Sequence, residues 1–244
     1  MNKNNNIPTI ILCGGLGTRM KEETEFKPKP LVSIGGKPIL WHIMKIYSHY
    51  KCNNFVLALG YKGHMIKEYF LDQRTFADTL QIKFIETGLK SLTGKRISKV
   101  KKYITGDEFM ITYGDGVADI DISKLITFHR KQGTIGTITG AHPRSKYGLV
   151  KTDNKSNLVL HFTQKPLLYD DYVSAGFMIF NKKALNYFDD GPMENGLIKL
   201  ANERQLSIFK HDGFWKAMDT YLEMEELNDL WNKNRPWAIW EKNK

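Results

Sequence analysis

From residue 8 to about residue 138, short runs rich in β-branched and aromatic residues alternate with longer stretches whose apolar positions recur every three or four residues. The short runs, at 9–12, 55–59, 82–86, 109–113 and 135–139, read as strands, and their alternation with amphipathic helices is the pattern of a mostly parallel sheet. Between the first two runs, Ile39, Leu40, Ile43, Ile46, Tyr47 and Tyr50 recur at helical spacing, and Gly35-Gly36-Lys37-Pro38 marks where that helix starts. Together they form a βαβ unit. Helices at 64–71, 98–104 and 122–131 continue the series. Beyond Pro143 the tempo changes to strand-like runs at 149–152, 158–162 and 173–180, helices near 183–188 and 194–204, a strand at 207–211 and a last helix at 221–231. The expected fold class is α/β, a Rossmann-like, mostly parallel sheet with helices on both faces.

Composition narrows what such a chain does. A length of 244 residues suits one domain with a large core, and 41% hydrophobic with 25% charged residues is the globular balance. We read 1–244 as one domain. Cys13 and Cys52 are too few for a disulfide framework and lack a zinc spacing, which points to a reducing, cytoplasmic setting. Cys13 stands beside glycines, but no His or Asp follows it at a motif spacing, so it reads as a space-filling thiol. The apolar stretch 7–12 is too short for a signal sequence or a membrane span. The formal charge of +10 is spread along the chain. One cluster, Lys95, Arg96, Lys99, Lys101 and Lys102, has no nucleic-acid motif around it and reads as a solvated basic face, so neither nucleic acid nor membrane is an expected partner. The seven histidines follow helix or strand patterns without metal-ligand spacing. Trp231, Trp237 and Trp240 read as packing or subunit contact, and Asp119 and Asp121 as capping or solvating the next helix.

The chemistry-bearing stretch is IPTIILCGGLGTRMKEETEFKPKP, from Ile7. A buried strand that ends in glycines lets backbone N–H groups approach a ligand with no Cβ in the way, and phosphate most rewards this. No Gly-Lys-Ser/Thr closes a Walker A loop, and the third glycine of a dinucleotide fingerprint falls on Met20. A tight strand–helix turn is the competing reading of the glycines; Thr18-Arg19 and the Lys-Pro pairs at Lys27 and Lys29 weigh against it. With GKPILWHIMKIYSHY, YGDGVADID, GFWKAMDT and PWAIW in the same order, the chain resembles the sugar-phosphate nucleotidyltransferase family, most of all its glucose-1-phosphate cytidylyltransferase-like branch. These blocks span Ile11 to Trp240.

The resemblance implies an enzyme that joins an acceptor phosphate oxygen to the α-phosphorus of CTP and releases pyrophosphate, with residues 7–142 as the nucleotide-binding half and 143–244 as the acceptor-binding half. It implies that Leu12, Gly14, Gly15, Gly17, Thr18 and Gly114 border the nucleotide, that Arg19 meets the leaving pyrophosphate and that Lys29 meets the α-phosphate. Asp115 and Asp219 would hold one Mg²⁺, a hard cation suited to oxygen ligands. An isolated Asp-Gly is more often a turn and a lone Asp before Thr a helix cap; the pairing with the glycine loop argues otherwise. Ser91 and Arg96, in the Ser91 to Arg96 loop, would serve as donors to the acceptor edge of cytosine, against the competing reading of an ordinary surface loop with a basic flank. Gln164, Lys165 and Gly176 would contact the acceptor.

The sequence also departs from the branch. Only 71–85 stands where a longer insertion is usual, which bears on assembly and leaves a homo-oligomer open. Gln164-Lys165-Pro166 replaces Glu-Lys-Pro, Ser174-Ala175-Gly176 replaces Asn-Gly-Gly, and an acidic residue expected around Glu194-Asn195 reads as shifted or lost. The default acceptor is a hexose 1-phosphate such as glucose 1-phosphate, feeding surface polysaccharide or capsule synthesis. The alternative acceptor is L-glutamine phosphate for capsular phosphoramidate, since glutamine at 164 suits a ligand carrying a carboxylate or carbonyl. A nucleotide-binding module without turnover is the rival from another class, and the joint retention of Arg19, Lys29, Asp115, Lys165 and Asp219 argues against it. A basic nucleic-acid binder comes third, lacking an aromatic-interleaved basic motif.

Overall fold

A computed structural model describes residues 7–72, 80–153 and 155–241 of the chain. The strands in chain order are β1 (Thr9–Cys13), β2 (Ser33–Ile34), β3 (Lys37–Pro38), β4 (Asn54–Leu59), β5 (Gln81–Glu86), β6 (Glu108–Tyr113), β7 (Gly116–Ala118), β8 (Gly136–Ala141), β9 (Leu149–Thr152), β10 (Val159–Thr163), β11 (Val173–Asn181), β12 (Leu206–His211) and β13 (Trp215–Ala217). The α-helices are α1 (Lys21–Thr24), α2 (Ile39–His49), α3 (Gly63–Asp72), α4 (Thr93–Val100), α5 (Ile122–Gln132), α6 (Met193–Asn202) and α7 (Tyr221–Lys233). Seven strands make the main sheet in the order β12-β8-β11-β6-β1-β4-β5. β1 runs parallel to both β4 and β6, β4 to β5, and β8 to β12, while β11 is antiparallel to its two neighbours. Strands from before and after Pro143 therefore hydrogen-bond into one mostly parallel sheet, as the sequence pattern predicts.

β1 is apolar almost throughout because it is buried on both sides. Ile11 and Cys13 enter one core with side chains of α2, α3, α5 and α7; Ile10 and Leu12 enter a second core with α4 and α6. Within the first core, Trp237 donates its indole N–H to Nδ1 of His42 at 3.3 Å, and Trp231 and Trp240 lie edge-on or tilted against the same imidazole. The three tryptophans thus pack, and burial holds His42 down to about 4, neutral in the core.

Two predicted boundaries move. The helix expected at 98–104 begins instead at Thr93, because its first turn is held from outside: Gly94 N–H donates to the Gly191 carbonyl at 2.9 Å, and the Thr93 hydroxyl accepts from Met193 N–H at 2.7 Å. Residues 183–188, expected as a helix, form a short 3-10 turn at Lys182–Asn186 capped by the Asn181 side chain. Among the described residues, β9 and β10 pair with no other strand. They form an antiparallel hairpin apart from the main sheet, exposed at every position. The shortened region 71–85 runs from the end of α3 into β5, with residues 73–79 outside the described residues. Among the described residues, no helix is long and apolar enough to cross a membrane.

Candidate active site

β1 and β6 are parallel neighbours with Leu12 beside Tyr113, so the Gly14–Gly17 and Gly114–Asp115 segments leave the sheet side by side at its carboxyl edge. Open α/β sheets bind ligands at this edge. Gly17 holds the left-handed φ of 66°, and a Cβ there would come within 2.6 Å of the Thr24 methyl. The Thr24 hydroxyl, 2.9 Å from the carbonyls of Gly17 and Met20, ties α1 back onto the loop. Gly14 is required for another reason. The Arg96 guanidinium lies against it, and a Cβ would fall 2.0 Å from Nη1.

The charged groups converge through a short ladder. β7 pairs antiparallel with β13, Gly116 opposite Ala217, so Asp115 just before one strand and Asp219 just after the other are brought to the same end. Met218 N–H donates to the Asp115 carbonyl at 2.8 Å, and the capping box of α7, formed by Thr220 and Glu223, fixes Asp219 through its own N–H at 2.7 Å. Lys29, on a 3-10 turn that begins at the second Lys-Pro, places its ammonium between the two carboxylates, 2.7 Å from Asp115 and 2.8 Å from Asp219. Arg19 reaches Asp219 at 2.9 Å from a far more exposed position, 71% against 13% for Lys29. The first Lys-Pro lysine, Lys27, turns away to Glu23. Burial pushes Lys29 down, but the Asp115 and Asp219 carboxylates outweigh it and hold the ammonium above its usual range. Burial likewise pushes Asp219 up, and the hydrogen bond from Lys29 with the charges of Lys29, Arg19 and Lys146 brings it below the usual carboxylate range.

These groups border a cavity of about 470 Å³. Leu12, Gly14, Gly15, Gly17, Thr18, Arg19, Lys29, Ser91, Arg96, Gly114, Asp115 and Asp219 all line it. A second cavity of about 330 Å³ shares Arg19, Tyr113, Asp115, Glu194 and Asp219 with the first and extends toward Ser174, Ala175, Trp215 and Ala217. Glu194 corrects an expectation. An acidic side chain is present there, in the first turn of α6, on the boundary of both cavities, where it accepts a 2.6 Å hydrogen bond from the Tyr113 hydroxyl. Burial and the neighbouring Glu194 carboxylate both raise the Tyr113 phenol and keep it protonated.

Other expectations are not met in this geometry. Ser91 and Arg96 line the first cavity, yet their donors are engaged within the protein. The Ser91 hydroxyl donates to the Thr87 carbonyl; Arg96 donates from Nη1 to the Leu59 carbonyl at 3.0 Å and to the Thr87 hydroxyl, and from Nη2 to the Gly14 carbonyl at 2.9 Å. The segment is moreover helical from Thr93, with Arg96 buried at 4% exposure, so it is neither a free loop nor a solvated flank. Arg96 is a strut joining the glycine loop to the ends of β4 and β5. Gln164 and Lys165 follow β10 and border neither cavity; Gln164 lies against Gly148, and the Lys165 carbonyl accepts from Arg144 at 3.5 Å. Gly176 sits behind the Tyr113 ring and borders neither cavity. Asp121 caps α5 as expected, but Asp119 accepts from Phe214 N–H at 2.8 Å and pairs with His211 at 3.1 Å instead of capping. Cys13 is buried and its thiol is pushed far up by burial, consistent with a filling role.

A family model described as Nucleotidyl transferase matches residues 8–220 of the chain. The glucose-1-phosphate cytidylyltransferases of Salmonella typhimurium and Salmonella typhi are each 39% identical to it, over 95% of this chain and 99% of their own. Among solved structures, a UDP-glucose pyrophosphorylase complexed with UDP-glucose superposes with a TM-score of 0.74 at 14% identity, covering 94% of this chain and 99% of the other, which is a likeness of fold.

Proposed function

The chain belongs to the nucleotidyl transferase family, and from that premise we propose that it transfers CMP from CTP to a small phosphorylated acceptor, glucose 1-phosphate by default, and releases pyrophosphate. The observation that carries the reading is the Lys29 ammonium held between Asp115 and Asp219 beside the glycine loop. An acceptor phosphate oxygen attacks the α-phosphorus, the bond from that phosphorus to the bridging oxygen breaks, and pyrophosphate leaves with the electron pair. Two anions must be brought together, so the protein's task is positioning and charge neutralisation. Backbone N–H groups of the glycine loop hold the triphosphate, Arg19 meets the departing pyrophosphate, and Lys29 meets the α-phosphate.

The residues present fit a divalent cation. Asp115 and Asp219 offer hard carboxylate oxygens close enough to share one ammonium, and among the described residues no larger group of acidic, His or Cys side chains forms a metal cluster. Mg²⁺ suits such a site, since it keeps waters and takes its remaining ligands from substrate phosphates. When bound it neutralises the phosphate charge between the two substrates. The smaller cavity is assigned to the acceptor, with the Glu194 carboxylate available to accept hydrogen bonds from hydroxyl groups. The cytidine preference rests on the relatives and not on Ser91 or Arg96, whose donors are engaged. We assign the nucleotide to the 7–142 half of one domain, with Asp219 and Glu194 supplied by the 143–244 half, and place the reaction in the cytoplasm, ahead of surface polysaccharide or capsule synthesis. Asp115→Asn and Asp219→Asn are each expected to lower the rate of pyrophosphate release by about 100-fold or more with the fold retained, as loss of a preorganised charge does. Near-normal turnover in either variant, with circular dichroism unchanged, contradicts the two-carboxylate site.

A further inference from the structure

The stretches YGDGVADID and GFWKAMDT are the two sides of one short ladder, β7 lying in the first and β13 in the second. Gly116 pairs with Ala217, Val117 with Lys216 and Ala118 with Trp215. The Gly116 end carries Asp115 and Asp219, which hold Lys29. The opposite end is closed by residues that border neither cavity. Asp119 N–H donates to the Phe214 carbonyl at 3.1 Å, and Phe214 N–H donates to Oδ1 of Asp119 at 2.8 Å. His211 Nε2 lies 3.1 Å from that Oδ1 and 3.1 Å from the Phe214 carbonyl. Both are acceptors, so Nε2 carries the proton and donates to each. Gly213 leaves the room this needs, since a Cβ there would fall 2.4 Å from Oδ1 of Asp119 and 2.7 Å from the His211 ring. His211 is itself fixed as the last residue of β12, opposite Ala141 of β8 in the main sheet.

We propose that Asp119, His211 and Gly213 form a latch that sets the register of the β7–β13 ladder and thereby the separation of the Asp115 and Asp219 carboxylates. They are positioning residues for the divalent cation, and the inference rests on the nucleotidyl-transfer reading of the site. A lone two-stranded ladder is marginal in water, and this one is only three pairs long. A slip of one residue would reverse its side-chain alternation and carry Asp219 about 3 Å along Asp115. Mg²⁺ demands near-ideal octahedral geometry at about 2 Å, so a displacement of that size breaks the site. The Asp115 end does not fix the register alone, because its carboxylates must exchange Lys29 for cation and phosphate during the reaction. The latch, about 13 Å along the strand from Asp115, holds the register where the substrates do not reach. Its bonds are directional, which apolar contact is not, so they admit one pairing.

Binding of Mn²⁺ to the full chain, read by electron paramagnetic resonance without nucleotide, tests this beside steady-state kinetics. Asp119→Ala is expected to weaken Mn²⁺ binding about 10-fold or more, as loss of an outer-shell partner does. kcat should fall by a similar factor while KM for CTP stays near its wild-type value, because the glycine loop is tied by Thr24 and not by this ladder. Asp119→Asn, whose amide oxygen accepts the same N–H groups, should recover most of both near neutral pH. Folding is followed by circular dichroism; where Asp119→Ala does not fold, Gly213→Ala, which drives a Cβ against the same carboxylate, is expected to show the same loss of Mn²⁺. Unchanged Mn²⁺ binding in the folded alanine variants overturns the latch alone, as does an equal loss in Asp119→Asn. A wild type that binds no Mn²⁺ overturns the two-carboxylate site and the latch with it.

Discussion

Around Lys29, charged groups are drawn toward the interior and each is answered by an opposite charge; along β9 and β10, apolar side chains are left in water. The first arrangement costs desolvation, which Lys29 and Asp219 both register, and it persists because two carboxylates and two cations are held by separate elements. The second costs hydrophobic burial that the chain by itself does not recover. Each departs from the ordinary rule that charges go outside and apolar groups inside. The charge cluster suits the phosphates of the proposed substrates, while the hairpin's side chains stay exposed at every position.

The comparison can be strained from the buried side first. Arg96 closes the polar interior beneath the glycine loop, and Arg96→Met leaves the carbonyls of Gly14 and Leu59 and the Thr87 hydroxyl without their charged donor. A stability loss of about 3 kcal/mol or more is expected from urea unfolding, since several hydrogen bonds to one charged group go together. A loss within the scatter of ordinary surface substitutions would mean that the strut is dispensable and the interior is not organised around it.

A smaller effect lies on the rim. Burial pushes His211 down, but the hydrogen bond to Asp119, with the Phe214 carbonyl and the charges of Asp119 and Asp212, holds it above its usual value. A raised folded-state pKa gives stability that is full below the unfolded value, about 6.5 for histidine, and is lost as pH rises through the folded one. The expected contribution is about 1 kcal/mol or less, as for a partly exposed pair. Unfolding free energies measured from mildly acidic to alkaline pH should fall more in the wild type than in Asp119→Asn. Parallel pH profiles for the two proteins would remove the pair from the account.

Part of the fold and of the site is legible in the sequence. The apolar run of β1 and the helical spacing of α2 are written in local pattern, and Lys29 and Asp115 stand in motifs next to strands. Asp219 was accessible through resemblance alone, because what places it is the pairing of β7 with β13, about a hundred residues apart in the chain. Arg96 reads as solvated because a basic residue after Thr93-Gly94-Lys95 carries no local sign of burial; the carbonyls that hold it belong to Leu59, Gly14 and Leu89. Glu194 carries no motif, and its place on the cavity wall follows from where α6 begins. The hairpin strands were predicted, but alternation within a strand says nothing about whether a neighbour covers it.

The reaction itself is tested most directly by pyrophosphate release from four nucleoside triphosphates crossed with glucose 1-phosphate, L-glutamine phosphate and other small phosphorylated acceptors, with Mg²⁺ present. CTP with glucose 1-phosphate is expected to give the largest kcat/KM, above about 10⁴ M⁻¹s⁻¹, in the ordinary enzyme range. UTP should fall roughly 10-fold or more below CTP, the discrimination expected when a base leaves a site donor or acceptor unpaired. Preference for L-glutamine phosphate would keep the cytidylyl transfer and overturn the sugar. Equal use of CTP and UTP, or no pyrophosphate from any pair, would contradict cytidylyl transfer to a phosphorylated acceptor.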